Sequence, residues 1–236
     1  MIGFDRSDRL LVVAPHPDDE VVGCAGLIQK IKKIGGKAFV LFLVTGDTKD
    51  FSNKGLSTGS ERESEIEKVA KLLKYDDYEI SLRGNEYQLQ LDRVGQLKLM
   101  NIIEKESRVA IEKVKPTIVV MPSPLSYNQD HAASARAAHA CMRNSSPMKH
   151  FVPTVLEYEE AADQWTLSQA PKPNFFVPLS SQEFDTKIKA LKLYSSQWRE
   201  FPSSRSEKTL RALATLRGSF CNCEFAEGFY NLRVAV

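Results

Sequence analysis

The chain has 236 residues, of which 42% are hydrophobic and 26% are charged, and this balance is that of a globular protein rather than a disordered or fibrous one. The length fits a single α/β domain, which we expect to span residues 1–236. The 32 basic and 30 acidic residues nearly cancel, which argues against a nucleic-acid or anionic-membrane partner. Four scattered cysteines do not indicate a disulfide framework, and no apolar run approaches the roughly 20 residues of a membrane span, so we expect a cytoplasmic protein.

Short apolar segments alternate with segments of helical period along the chain. Strands are predicted at residues 9–14, 38–45, 78–82, 117–121, 152–158 and 175–177, and helices at residues 20–34, 60–73, 94–114, 130–142, 184–198 and 207–216. This order predicts an α/β fold in which a mostly parallel sheet is covered by helices on both faces, as a three-layer sandwich. In such sheets, ligands bind in the loops beyond the carboxyl ends of the strands.

The loop after the first predicted strand carries an imidazole and three carboxylates in the segment Pro15-His16-Pro17-Asp18-Asp19-Glu20. A helix begins there, and its dipole and free amides lower the pKa of nearby carboxylates. His16 and Asp19 are close enough in the chain to bind one cation across a tight turn, and zinc accepts this mixture of nitrogen and oxygen ligands. The alternative interpretation is a solvated acidic turn that caps the helix.

The segment Asn128-Gln-Asp-His131 is the best supplier of a third ligand, because it also lies between a strand end and a helix start. Three protein ligands leave an open position for water, which is typical of catalytic rather than structural sites. Asp18 lies beside the ligand Asp19 but need not bind the metal, so it can accept a proton from the activated water. The residues therefore predict a metal site at the carboxyl ends of the strands.

With these motifs the sequence resembles the zinc-dependent N-acetylglucosaminyl deacetylases, also called the LmbE-like or PIG-L-like family. The shared signature is Ala14-Pro-His16-Pro-Asp18-Asp19-Glu20-Val-Val-Gly-Cys-Ala-Gly26. The likeness continues in Arg62-Glu-Ser-Glu65, in Tyr127-Asn-Gln-Asp-His131 and in Ala226-Glu227-Gly-Phe229, so that it covers nearly the whole chain.

This resemblance implies a Rossmann-like fold and hydrolysis of the acetamide of an N-acetylated amino sugar or its conjugate. By the same resemblance, Zn²⁺ or another divalent transition metal is bound by His16, Asp19 and His131, and Asp18 is the catalytic base. The expected partner is a small-molecule amino sugar, and a homo-oligomer is left open. The alternatives are a metal-dependent hydrolase of another amide or an ester, and a non-catalytic module that binds metal or sugar.

Three further residues have roles that the resemblance suggests less directly. Arg62 falls where family members place an arginine near the substrate, and the alternative is a surface arginine paired with Glu65. Asn128 stands where many members have a histidine, so its amide could donate a hydrogen bond to an oxyanion but could not deliver a proton. Asp18 would then act as base and afterwards as acid. Asp130 could orient a neighbouring ligand or cap the helix, of which we favour the cap.

Two later segments could also reach the pocket. The acidic run Glu157-Tyr-Glu159-Glu160 ends a predicted strand and could add a carboxylate, although we favour a solvated strand end. Arg205 lies between the last two predicted helices and could approach the site from there.

Overall fold

The computed structural model describes residues 3–50, 55–144, 148–165 and 172–235. Its strands are β1 (Arg9–Ala14), β2 (Lys37–Thr45), β3 (Thr48–Lys49), β4 (Leu56–Ser57), β5 (Asp77–Arg83), β6 (Ile118–Met121), β7 (Thr154–Tyr158), β8 (Phe175–Leu179) and β9 (Phe225–Val234). Seven of the described strands form one sheet in the order β5-β2-β1-β6-β7-β9-β8, and β3 and β4 form a separate small hairpin.

The main sheet is mostly parallel, as predicted. Strands β5, β2, β1, β6 and β7 run in the same direction, whereas β9 is antiparallel to both of its neighbours, β7 and β8. Residues 10–14 of β1 are completely buried, which is the pattern of a strand whose two faces are both covered. No strand is predicted at residues 225–234, and β9 is therefore an addition to the predicted sheet.

Helices cover both faces of this sheet. They are α1 (Asp19–Lys33), α2 (Gly59–Leu73), α3 (Leu91–Val94), α4 (Gln96–Asn101), α5 (Ile111–Val114), α6 (Gln129–Cys141), α7 (Ser181–Leu193) and α8 (Glu207–Ser219). Leu10 and Val12 of β1 face the core beneath α1, α2, α7 and α8, whereas Leu11 and Val13 face the core beneath α3 to α6. The alternation of side chains in β1 thus builds the two cores of a three-layer α/β fold.

None of the described helices combines the length and the apolar character needed to cross a lipid bilayer.

The single long helix predicted over residues 94–114 is wrong. The segment is divided into α3, α4, a turn of π-helix at Ile102–Glu106 and α5. Gly95 separates the first two pieces with φ 88° and ψ 137°, a conformation that glycine adopts at little cost. Ser107 and Ala110 then have extended backbone, with ψ of 153° and 154°, before α5 begins. The apolar period of this segment continues across these breaks, and for that reason the period alone suggested one helix.

The order of the strands decides which loops meet. Because β1, β6 and β7 are neighbours and parallel, the loops that follow them open at the same edge of the sheet. These loops contain residues 15–18, 122–128 and 159–160. The histidines and carboxylates of the predicted site are therefore brought to one place.

Candidate metal centre

The turn between β1 and α1, residues 15–20, is held by its own polar groups. Asp18 has φ 115° and ψ −27°, a left-handed conformation that is uncommon for a residue other than glycine but is tolerated by aspartate. Its carbonyl accepts hydrogen bonds from Val21 N and Val22 N at 2.9 and 2.8 Å, and its own N–H donates to Glu20 Oε2 at 3.2 Å. Strained backbone of this kind is retained where a side chain must be held in one direction.

Glu20 anchors this turn to the rest of the molecule. It is completely buried, and its Oε1 accepts hydrogen bonds from Tyr194 Oη at 2.6 Å and from Tyr75 Oη at 3.0 Å. Burial raises the pKa of Glu20 to about 8, against the opposing effect of the two tyrosines. Glu20 thus holds the backbone N–H of Asp18 through its Oε2. Its other carboxyl oxygen, Oε1, accepts the hydrogen bonds of the two tyrosines.

The three predicted ligands converge. Asp19 Oδ2 lies 3.5 Å from His16 Nδ1 and 3.3 Å from His131 Nε2, and one ligand atom from each residue lies within 4.8 Å of the others. The two imidazole rings are 5.4 Å apart between centroids, and all three residues are buried. Ligands about 2 Å from a zinc ion are separated by distances of this order, so one cation can bridge these atoms.

The polar atoms of this cluster fit a cation better than they fit one another. Asp19 Oδ1 and both ring nitrogens of His131 are buried, and within the described residues none of them has a hydrogen bond of good geometry, although His131 is ion-paired with Asp19 and Glu160. Buried polar atoms without partners are costly, and a divalent ion would use their lone pairs. Two imidazoles and one carboxylate form a donor set that zinc accepts with a position left open.

Asp130 orients the first of these imidazoles. Its Oδ2 lies 2.9 Å from His16 Nε2, and its Oδ1 accepts a hydrogen bond from Leu91 N at 2.8 Å. A proton on His16 Nε2 leaves the lone pair on Nδ1, the nitrogen that faces Asp19. The favoured interpretation of Asp130 as the helix cap is wrong, because Asn128 caps α6 by accepting a hydrogen bond from Asp130 N at 2.9 Å.

Neighbouring charges decide the protonation of the cluster in the absence of metal. Burial lowers the pKa of His131, but the carboxylates of Asp19 and Glu160 outweigh burial and raise it to about 10. For Asp19, burial alone would raise the pKa, and the two histidines instead hold it well below its ordinary value. The metal-free centre is therefore an ion cluster whose imidazole proton a cation must displace.

Asp18 lies beside the ligand set but faces a different partner. Its carboxylate is 1% exposed, and Oδ2 forms an ion pair with Arg205 Nε at 2.7 Å. Burial raises the pKa of Asp18, the charge of Arg205 lowers it, Asp19 raises it further, and the resulting value is above the ordinary one. The carboxylate is thus held in place by an arginine while it keeps an increased affinity for a proton. Arg205 does reach the pocket, as one of the interpretations of the sequence allowed.

Arg62 is not a surface arginine. It is 1% exposed, and Nη1 donates a hydrogen bond to Gly46 O at 3.0 Å, at the carboxyl end of β2. Its Nε has no partner within the described residues. The carboxylate of Glu65, proposed as an alternative partner, instead accepts hydrogen bonds from Ser195 and Ser196. A role of Arg62 in substrate binding stays a prediction.

The acidic run after β7 is buried rather than solvated, which corrects the favoured interpretation. Glu160 is 5% exposed and its Oε1 lies 3.8 Å from His131 Nδ1, while Asp163 also lies near the ring of His131. Burial raises the pKa of Glu160 to about 8, although the charge of His131 opposes this. The sequence did indicate that these residues could reach the site, because they lie at the carboxyl end of a predicted strand, where the ligand-binding loops of a parallel sheet begin. Their contact with His131 depends on β7 lying beside β6.

Comparisons with known proteins support the predicted resemblance. The diacetylchitobiose deacetylase of Thermococcus kodakarensis is 25% identical over 232 residues, which cover 95% of this chain and 83% of that protein. Among solved structures, the chain is similar to the N,N'-diacetylchitobiose deacetylase from Pyrococcus horikoshii complexed with its inhibitor MPG. This match has a TM-score of 0.71 at 22% identity and covers 96% of this chain and 84% of that chain.

The same fold is also found with a different activity. The 4-carboxy-2-hydroxymuconate hydratase GalB of Pseudomonas putida matches with a TM-score of 0.66 at 19% identity, over 97% of this chain and 98% of that chain. The two structural matches therefore show the α/β fold alone.

Family membership rests on the match with the family model described as "PIG-L: GlcNAc-PI de-N-acetylase", which spans residues 11–142. Because this match covers more than half of the sequence and includes His16, Asp19 and His131, the chain belongs to the PIG-L family of de-N-acetylases.

Proposed function

We propose that the protein is a metal-dependent deacetylase, acting as a single domain over residues 1–236, that hydrolyses the acetamide of an N-acetylated amino sugar or its conjugate. The observation that carries the proposal is the convergence of His16, Asp19 and His131 beside the buried carboxylate of Asp18. The substrate class is supported by the PIG-L match and by the diacetylchitobiose deacetylase similar to this chain. Zn²⁺ is the first metal to test, because the donor set is two imidazoles and one carboxylate.

His16, Asp19 and His131 would hold the cation, and Asp130 would keep His16 in the required tautomer. When bound, a divalent cation polarises the acetamide carbonyl and lowers the pKa of a water molecule.

Asp18 transfers the protons of the reaction. Its carboxylate accepts a proton from the attacking water as the new C–O bond forms. It then donates that proton to the departing nitrogen as the C–N bond breaks, so that acetate and a free amine are released. The raised pKa of Asp18 suits this double task, since a carboxylate of ordinary acidity would hold the proton less well. Arg205 fixes the direction of the carboxylate through their ion pair.

Asn128 and Arg62 would act on the substrate itself. The carbonyl of the Asn128 side chain is used to cap α6, which leaves its NH₂ group to donate a hydrogen bond to the developing oxyanion. Arg62 is completely buried near the charges of Asp18 and Asp19, so its guanidinium would contact a sugar hydroxyl or carbonyl only if the substrate opened a path to it.

The experiment that tests the proposal measures acetate release. The purified protein is incubated with N-acetylglucosamine, with N,N'-diacetylchitobiose and with an acetyl ester, with and without chelator. We expect acetate from the acetamido sugars, its loss on chelation and its return when Zn²⁺ is added. Acetate from the ester alone would identify a different hydrolase. Sugar binding without any turnover in the metal-loaded protein would identify a binding module instead.

A further inference from the structure

Two large aromatic side chains are exposed side by side next to the candidate metal centre. Tyr127 is 56% exposed and Trp165 is 72% exposed, and their ring centroids are 5.6 Å apart with an angle of 35° between the ring planes. Single exposed apolar residues are common on protein surfaces, but contiguous exposed aromatic rings are typical of surfaces that bind a ligand or a partner.

The loops that carry the two rings are the same loops that surround His131. Tyr127 directly precedes Asn128, the cap of the helix that carries His131, and Trp165 ends the short 3₁₀ helix that contains Asp163. Ser126 Oγ donates a hydrogen bond to Asp163 Oδ1 at 2.8 Å and thereby joins the two loops. The two rings are therefore carried by loops that are joined to each other beside His131.

The tyrosine is the inner ring of the pair and the tryptophan is the outer one. Burial raises the pKa of the Tyr127 hydroxyl. The charge of Arg205 lowers this pKa, and the charges of Glu160 and Asp163 raise it. The hydroxyl therefore lies within reach of the charges of the site. Trp165 is the more exposed of the two. A molecule whose acetamide lies at the metal centre would meet Tyr127 first and Trp165 further out.

We propose that Tyr127 and Trp165 form a stacking platform for a second sugar ring, linked to the ring that carries the reacting acetamide. The preferred substrate would then be an N-acetylated oligosaccharide of at least two rings rather than a monosaccharide. This inference rests on the proposed deacetylase function and extends it from the reaction to the size of the substrate.

The chemistry of the platform suits a sugar ring. One face of a pyranose presents C–H groups that pack on an aromatic ring, while the hydroxyls at its edge need polar partners. Tyrosine and tryptophan supply apolar area together with a polar tip, and they lose little side-chain freedom on binding. A nucleotide base would also stack, but its phosphates would be repelled by the carboxylates of Glu160 and Asp163, which lie next to His131.

The kinetic test compares N-acetylglucosamine with its β-1,4-linked disaccharide. For the wild type we expect kcat/KM to be about tenfold higher for the disaccharide, the size expected from one stacked ring. In Trp165→Ala this ratio should fall to about one, mainly through a higher KM for the disaccharide, and Trp165→Phe should restore most of the preference. The matched control is Phe151→Ala, which removes an exposed aromatic ring before the first residue of β7, at the opposite edge of the sheet, and should keep the wild-type ratio.

A binding measurement reports on the platform without turnover. The chain has two tryptophans, so Trp198→Phe leaves Trp165 as the sole tryptophan emitter. In the chelator-treated protein, the disaccharide should shift this emission to shorter wavelength, and N-acetylglucosamine at the same concentration should shift it less. In Trp165→Phe, where Trp198 remains, the disaccharide should produce no such shift.

The two proposals fail in different ways. If the metal-loaded wild type releases no acetate from any sugar, the proposed function is wrong. If it deacetylates both sugars with equal kcat/KM and the emission of Trp165 does not change, the platform is wrong while the deacetylase function stands. A shift caused by an alkyl or aryl glycoside of N-acetylglucosamine but not by the disaccharide would also overturn the proposal, because it would assign the rings to an aglycone.

Discussion

Two of the regions that form the candidate metal centre differ in how their residues are brought together. The β1 turn, residues 15–20, places one histidine and three carboxylates within a few positions of the chain. The late loops, residues 159–163 and 195–206, contribute Glu160 and Arg205, which reach His131 and Asp18 only through the fold. Residues 15–20 thus supply two of the three candidate ligands together with Asp18 from one short segment, whereas part of the charge around His131 and Asp18 comes from segments far away in the chain.

The largest expected effect tests whether the two strand-end loops share one ion. In His131→Ala the protein should lose metal affinity by more than the roughly 10- to 100-fold that changes to outer-shell partners of metal ligands cause, and activity should be lost with it. Metal content after dialysis, together with acetate release, measures this effect. The matched control is His139→Ala, an exposed histidine further along the same helix, which should bind metal as the wild type does. A His131→Ala protein that keeps full metal content would show that the β1 turn binds the ion without α6.

The second prediction separates metal binding from proton transfer within the β1 turn. Asp18→Asn should lower kcat by about 100- to 10,000-fold, because the amide cannot accept the proton from water. Asparagine tolerates the left-handed backbone at this position, so the turn should keep its shape and metal content should remain that of the wild type. Full turnover in this variant would show that another group transfers the proton.

The third prediction concerns the contact that orients His16. In Asp130→Asn the side chain can accept a hydrogen bond from Leu91 N or from His16 Nε2, but no longer from both, and metal affinity should fall by about 10- to 100-fold. Titration with Zn²⁺ in a competing chelator measures the change. Asp92→Asn, which alters an exposed carboxylate of α3, should have no effect.

The smallest effect reports, through pH, on the carboxylates of Asp19 and Glu160 around His131. Because nearby carboxylates raise the pKa of His131 to about 10, the metal must displace a proton at neutral pH. Apparent metal affinity should therefore rise by about tenfold per pH unit between pH 7.5 and 9, since a free imidazole is then largely deprotonated but His131 is not. Calorimetric titration across this range measures the slope. A plateau above pH 7 would show that Glu160 and Asp19 do not hold a proton on His131.

Much of the site could be predicted because its chemistry is local. His16, Asp18 and Asp19 stand at a strand-to-helix junction that the sequence marks by apolar period, and His131 stands at a second junction of the same kind. The role of Asp130 was assigned less well, because both Asn128 and Asp130 are suitable caps and only the position of His16 distinguishes them. Gly95 similarly interrupts an apolar period that otherwise resembles one long helix.

The mostly parallel α/β sheet and the ligand-bearing turns could be predicted from the sequence. The reason is that the periodicity of apolar residues and the residue types at strand-to-helix junctions depend on only a few neighbouring positions in the chain. Only the tertiary structure decided that β7 lies beside β6 and that β9 extends the sheet beyond it, which buries Glu160 next to His131. It also decided that Arg205 meets Asp18 and that Tyr127 meets Trp165. These contacts join residues far apart in the chain, and their existence depends on the packing of whole layers rather than on any local preference.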